Sequence, residues 1–430
     1  MKKSYGRLES ERRGQEFCAS LSPEQWLEIQ RKLLELQYSP LWTEPPQDVK
    51  DSYRFGWMRG MGLMIETMLY GRWYAWLSIL AKGSYQDGDM PKNPVRSSPI
   101  MNTPAYKMLT KCMDRVYHRG YRITDFIEWI GYALGISYCK RPSIPDSLWE
   151  ELYREFSLDL LFLEPTDVLS TFVAEHGQKG HLDYFPTPIQ VTEAINMMLN
   201  SSPTDSQFEP CIGGAAMVLP SNCLNLVGAD LSLTMVKVAC IQAFLFLPSL
   251  LYVPKPIMGL HINPETKTIH RYFEFNTDTR IYWGNSLLGE YRAPIRIFEE
   301  ESKQIDIFVH PVDLRKREIF QYEEDLHQPW NSLSDDRKIQ IIKAHAREIK
   351  FECITTNPPF NAKLSRSEAE IIRQLVESNQ KFLEERQQRL ASYRISSHHV
   401  CETAVYEVEL KMAEFKSRKV IEGQMEFSLF

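Results

Sequence analysis

The most specific chemistry lies in Phe351-Glu-Cys-Ile-Thr-Thr-Asn357-Pro358-Pro359-Phe360. A short apolar strand there ends in Asn-Pro-Pro-aromatic. Pro358 and Pro359 have fixed φ and no amide donors, so the strand must stop and a rigid loop must follow. Open α/β sheets place their ligands at such carboxyl ends of strands. Asn357 brings a side-chain carbonyl to that position. The Pro358 carbonyl brings a second acceptor and Phe360 a stacking face. Together they suit activation of an exocyclic amine on a flat base. Such an amine is a poor nucleophile, because its lone pair is delocalised into the ring. Two acceptors on its N–H groups favour a pyramidal nitrogen, and an aromatic ring can hold the base once it leaves a duplex stack. The plain alternative for a lone N-P-P-F is a proline turn at a strand end.

A second group centres on Phe208-Glu209-Pro210-Cys211-Ile212-Gly213-Gly214-Ala215-Ala216, a glycine-rich turn between a predicted strand and helix. Small residues there let a ligand approach the backbone. The apolar run 224–229 then ends at Asp230. A carboxylate at a strand end can accept two hydrogen bonds from ribose hydroxyls. Tyr282-Trp283-Gly284-Asn285-Ser286-Leu287 follows a third predicted strand, with a polar side chain able to read a purine edge. Upstream, Leu182-Asp183-Tyr184-Phe185-Pro186-Thr187-Pro188 leads into a helix with Thr187 as its expected cap. Singly, each piece is a common turn or a solvated residue.

A sheet and its helices must position these residues. From about residue 177 short apolar runs alternate with helical periods. Helices are predicted at 190–199 and 233–245, and strands at 224–231, 280–283, 305–309 and 351–356. The alternation predicts an α/β domain with a parallel sheet over residues 166–360. Two insertions interrupt it, a β excursion at 253–281 and a polar helical stretch at 313–350. Residues 1–165 read as an all-helical domain. Ser22-Pro23-Glu24 is a helix start, and helical periods run through 106–117, 123–134 and 148–156. Residues 361–430 read as a helical tail. The most apolar stretch, 57–80, carries Arg59, Glu66 and Arg72, which predicts buried helices and no membrane span.

In order and spacing, Y-F-P-T-P, E-P-C-I-G-G-A, G-A-D-L-S, G-N-S-L and N-P-P-F resemble the motifs of amino-methylating DNA methyltransferases. More narrowly, the chain resembles the adenine-N6 enzymes of restriction–modification systems, over about residues 165–360. Asp167-Val-Leu-Ser-Thr-Phe also resembles the lead-in helix of modification subunits with a helical N-terminal domain. The resemblance implies a Rossmann-like core, mostly parallel with helices on both faces. It implies S-adenosylmethionine as cofactor and double-stranded DNA with an adenine target as partner. Tyr184, Phe185, Thr187 and Pro188 would then flank the cofactor. Glu209, Gly213 and Gly214 would form the loop under its methionine part, Asp230 would hold the ribose, and Leu231 and Asn285 would lie near its adenine. Asn357, Pro358, Pro359 and Phe360 would bind and activate the target base. Transfer would be direct displacement from the sulfonium, with no metal.

The chain departs from that pattern in Glu209 where Asp is usual, in Ala215 where Gly is usual, in a short polar first strand at 205–208, and in Pro220 within the next helix. Residues 361–430 alone follow the catalytic loop. These departures carry a second reading: a non-catalytic or partner-dependent binding subunit of a restriction, defence or phage system, its sheet completed by a second protein subunit.

Composition bounds both readings. Of 430 residues, 43% are hydrophobic and 25% charged, which fits a globular chain and neither a disordered nor a fibrous one. A net charge of −6 excludes gripping nucleic acid by bulk positive charge, but not by a local basic groove. Arg373, Arg386, Arg389, Lys416 and Arg418 are candidate phosphate contacts. The eight cysteines form no C-x-x-C pair, and no apolar core follows Met1-Lys2-Lys3. A reduced cytoplasmic protein is therefore expected. His398-His399 near Cys401 lacks a second ligand pair at metal spacing, so no metal site is expected.

Overall fold

The computed structural model describes residues 5–39, 41–82, 88–98, 100–177, 184, 186–201, 203, 205–251, 260–262, 269–271, 279–286, 292–293, 307–308, 353–357, 370 and 373. The chain divides into two compact units, Met1–Ser332 with Lys350–Ala362, and Leu333–Ile349 with Lys363–Phe430. The second unit is described only at Glu370 and Arg373, an ion pair at 2.7 Å. In the helical tail Glu370 and Arg373 are described, and both are helical; the rest of the tail and the insertion at 313–350 lie outside the described residues.

The helices that precede the sheet are α1 (Tyr5–Ser20), α2 (Pro23–Gln37), α3 (Arg59–Leu69), α4 (Arg72–Lys82) and α5 (Pro104–His118). They continue with α6 (Ile123–Leu134), α7 (Asp146–Glu155), α8 (Leu158–Leu163), α9 (Val168–His176) and α10 (Ile189–Leu199). Local chemistry sets their ends. Ser22 opens α2 through a capping box: its hydroxyl accepts the Gln25 N–H, and the Gln25 side chain accepts the Ser22 N–H at 2.9 Å. At α5 the Thr103 hydroxyl accepts the Tyr106 N–H at 3.2 Å, and Pro104 takes the first helical position. α6 stops at Gly135, whose φ of 72° is the left-handed value glycine adopts freely.

β1 (Ser206–Glu209) and β2 (Asn225–Asp230) follow, then α11 (Leu233–Phe246) and α12 (Pro248–Leu251). β3 (Leu260–Ile262) and β4 (Ile269–Arg271) form a separate antiparallel pair. β5 (Ile281–Trp283), β6 (Arg292–Ala293), β7 (Ile307–Phe308) and β8 (Cys353–Ile354) complete the main sheet, ordered β7-β6-β5-β2-β1-β8. β5, β2, β1 and β8 are parallel, an α/β arrangement. β6 pairs antiparallel with both β5 and β7. The strand predicted near 305–309 therefore forms and points the same way as the parallel four, but it joins the sheet only through antiparallel β6. The link from β5 to β6 is too short for a crossover helix, so the chain turns back on itself. A second difference follows β1. Residues 210–220 form turns, with Gly213 and Ala215 at φ 53° and 75°, and no helix.

One hydrophobic core runs through the helices and the sheet. Its hinge is α11, buried on every side from Val238 to Phe246 and packed against α6, α9, β2 and β5. A helix apolar all round needs such enclosure. Trp129, Trp149, Phe126 and Phe156 fill the helical side with edge-to-face contacts. Among the described residues no helix is long and apolar enough to cross a membrane. The charges in the 57–80 stretch are used inside. Buried Glu66 accepts the N–H groups of Arg72 and Trp73 at 2.9 and 3.0 Å, capping α4. The Arg72 guanidinium donates to the carbonyls of Phe246 and Pro91 at 3.2 and 2.6 Å, and Trp73 Nε1 to the carbonyl of Phe244 at 2.8 Å. α4 is thus stitched to the end of α11. Glu66→Ala strands two amides and leaves Arg72 buried without its counter-charge. It should destabilise the fold by about 3 kcal/mol in urea unfolding.

Candidate functional site

Chain order and spatial order part company at β1. The chain runs outward from β1 to β2 and β5, then returns to lay β8 on the other side of β1. Ligand crevices in open α/β sheets form at this switch, outside the carboxyl ends of the two strands. Glu209 ends β1, Asp230 ends β2, and Thr355, Thr356 and Asn357 leave β8.

Register is fixed by a buried polar chain. Gln207, wholly enclosed in β1, donates from Nε2 to Thr355 Oγ1 at 3.0 Å. Its Oε1 accepts from Ser221 Oγ at 2.5 Å. The Thr355 N–H donates to the Phe208 carbonyl at 3.1 Å. The polar character of the first strand is therefore its means of aligning β8. A register slip by one residue would turn Thr355 to the opposite face.

The loop after β1 is knitted to β2. The Ile212 N–H donates to the Ala229 carbonyl at 2.8 Å, and the Gly213 N–H to Asp230 Oδ2 at 2.8 Å. Asp230 Oδ1 accepts the Ser232 N–H at 2.8 Å. Burial raises the Asp230 carboxyl, while those two N–H groups pull it down. Leu231 beside it stands 69% exposed, an apolar face open to a ligand. Its carbonyl accepts from Trp283 Nε1 at 2.9 Å. Ser286 Oγ donates to the Pro210 carbonyl at 2.7 Å, which ties the half-buried Asn285 segment to the loop. Ala215 holds a left-handed φ at a cost of about 1 kcal/mol that glycine would avoid.

The space a side chain would fill at the two glycines is taken by the protein itself. A Cβ on Gly213 would come within 2.5 Å of Tyr184 Cε2, and one on Gly214 within 1.9 Å of Ser170 Oγ. The Tyr184 hydroxyl accepts the Gly214 N–H at 3.1 Å. Burial raises the Tyr184 hydroxyl pKa.

Thr187 does not cap α10. Pro188 is the N-cap, and no side-chain cap bond forms. The Thr187 hydroxyl instead accepts Asn357 Nδ2 at 3.0 Å, which joins the first and last motifs across 170 positions. With Nδ2 so engaged, Oδ1 is the end of Asn357 that can accept from a substrate amine. The predicted residues Phe185, Pro358, Pro359 and Phe360 lie outside the described residues.

Glu209 is the most constrained acid of the site. It is fully buried; Oε1 accepts the Cys211 N–H at 3.0 Å, and Oε2 has no hydrogen-bond partner. Burial pushes its pKa up to about 7, against the pull of the Cys211 N–H. That lies above the ordinary carboxylate value of 4.5, so the folded state holds the proton more tightly. Stability from this group is present below about pH 4.5 and is lost as pH rises through about 7. Glu66, also raised to about 7 by burial, acts in the same window. The Glu209 share is therefore read as a difference. Unfolding free energy should fall less between pH 5 and pH 8 in Glu209→Gln than in the parent protein.

Among the described residues no group of three or more His, Cys, Asp and Glu side chains is placed to hold a metal ion. Gln207, Thr355 and Gln242 are site-building residues that the motifs do not reveal, and Asp167 and Ser170 lie in the lead-in segment, to which the resemblance assigns no site role. The signal for them is a polar residue inside an otherwise apolar strand or helix. Comparison with protein-family models, curated proteins and solved structures gives no match.

Proposed function

We propose that this chain is an S-adenosylmethionine-dependent DNA methyltransferase acting on the N6 amine of adenine, on a Rossmann-like core. The observation that carries the reading is the Thr187–Asn357 hydrogen bond at the switch between β1 and β8. It brings Asn357 beside Thr187 at the carboxyl end of the sheet, where β1 and β2 end in Glu209 and Asp230.

The residues present fit the cofactor. Glu209 keeps a buried oxygen without a partner, suited to a positive or N–H-bearing group. Each Asp230 oxygen accepts one backbone N–H and has a lone pair left for a ribose hydroxyl. Leu231 offers an apolar face to a flat ring. When bound, S-adenosylmethionine supplies an electrophilic methyl group on a sulfonium. The protein's own work is positioning. Asn357 Oδ1 accepts an N–H of the adenine amine and frees its lone pair, Thr187 holds the Asn357 amide in orientation, and the rigid sheet end fixes the approach.

The test uses the purified chain, labelled S-adenosylmethionine and DNA from a methylation-free host. Label recovered as N6-methyladenine supports the reading. Absence of label from DNA, with folded protein, overturns it.

A further inference from the structure

Gln242 lies in the middle of α11, wholly buried among apolar neighbours. The two hydrogens of its Nε2 are shared among Asp167 Oδ1 at 2.6 Å, Ser170 Oγ at 3.1 Å and the Gly214 carbonyl. Its Oε1 has no hydrogen-bond partner. An enclosed amide with an orphan acceptor costs stability that an apolar residue of the same size would not. The gain must therefore lie on the Nε2 side.

That side meets the glycine loop. Asp167 caps α9, with its Oδ1 accepting the Ser170 N–H at 3.3 Å, so the acid is fixed by the helical part of the core. Gly214 is held at both ends of its backbone: its N–H by the Tyr184 hydroxyl and its carbonyl by Gln242. Ser170 sits so close to the Gly214 Cα that no side chain fits there. Burial raises the Asp167 carboxyl to about 6, with Ser170 and Gln242 pulling it down. Removing the Gln242 donor would thus leave an acid and a peptide carbonyl buried with less support.

We propose that Gln242 is a positioning residue: with Asp167 and Ser170 it clamps the Gly214 peptide from behind and holds the glycine loop in one conformation for the cofactor. The cofactor part of this inference rests on the methyltransferase reading; the clamp itself does not.

Two readouts on Gln242→Met separate them. Hydrogen exchange at the Gly213 and Gly214 amides should quicken about tenfold or more, the loss of roughly one hydrogen bond. Affinity for S-adenosylmethionine, by titration, should fall about tenfold. Unchanged exchange in a folded variant overturns the clamp, whatever the cofactor does. Faster exchange in the variant, when even the parent protein binds no S-adenosylmethionine, supports the clamp and removes the methyltransferase reading. Faster exchange with unchanged affinity overturns the positioning role. Should Gln242→Met not fold, Gln242→Glu decides. The introduced carboxyl has an O–H to give to Asp167 or the Gly214 carbonyl only when protonated. Amide protection at Gly214 should then recover as pH falls from 8 towards 6, relative to the parent protein; a flat difference overturns the clamp.

Discussion

Asn357→Ala should lower methyl transfer to adenine by at least about a thousandfold and leave S-adenosylmethionine affinity within about threefold. The asymmetry follows from where the residue sits. Asn357 leaves β8, on the far side of β1 from β2 and Asp230, and its one described partner is the Thr187 hydroxyl. In the proposed reaction its carbonyl is needed when the amine lone pair is released, a demand greatest in the transition state. Loss of an interaction made there lowers turnover and spares binding. Single-turnover transfer and equilibrium titration on the same preparation check both halves. A variant that loses cofactor affinity as strongly as transfer would place Asn357 in the cofactor site instead.

Asp230→Ala should show the opposite pattern, with S-adenosylmethionine affinity reduced by at least about a hundredfold. Hydrogen bonds to a charged acceptor contribute about 1.5–3 kcal/mol each, and two ribose hydroxyls would be lost at once. The same substitution releases the Gly213 and Ser232 N–H groups, so the loop loses its tie to β2. Asp230→Asn retains one acceptor and should fall between the two. Titration with S-adenosylmethionine checks the series. Affinity unchanged in Asp230→Ala would remove Asp230 from the cofactor site.

Much of this architecture is legible in the sequence because its causes are local. Ser22-Pro23-Glu24 starts α2 through a capping box that spans four residues, and the period at 123–134 coincides with α6. The acid at the end of the second strand and the turn after the first can be read from neighbours alone. What escapes has distant partners. Thr187-Pro188 has the look of a cap and a first helical proline. Yet its hydroxyl is claimed by Asn357, and no local pattern can announce a partner 170 positions away. The glycines at 213 and 214 read as room for a ligand, but Tyr184 and Ser170 of the same chain fill that room. Gln242 sits in a run of apolar residues and gains its meaning only when α9 and the glycine loop arrive. Gln207 makes the first strand look too polar, until its pairing with Thr355 shows what the polarity secures.

The most direct measurement is N6-methyladenine in total DNA of a methylation-free bacterial host expressing the chain, by mass spectrometry, with Asn357→Ala as control. A genome presents every short sequence context together, so the target sequence need not be known. Methyladenine with the parent protein and none with Asn357→Ala is the predicted result. Soluble, folded protein in the host with no methyladenine would contradict it and favour a binding subunit that needs a partner.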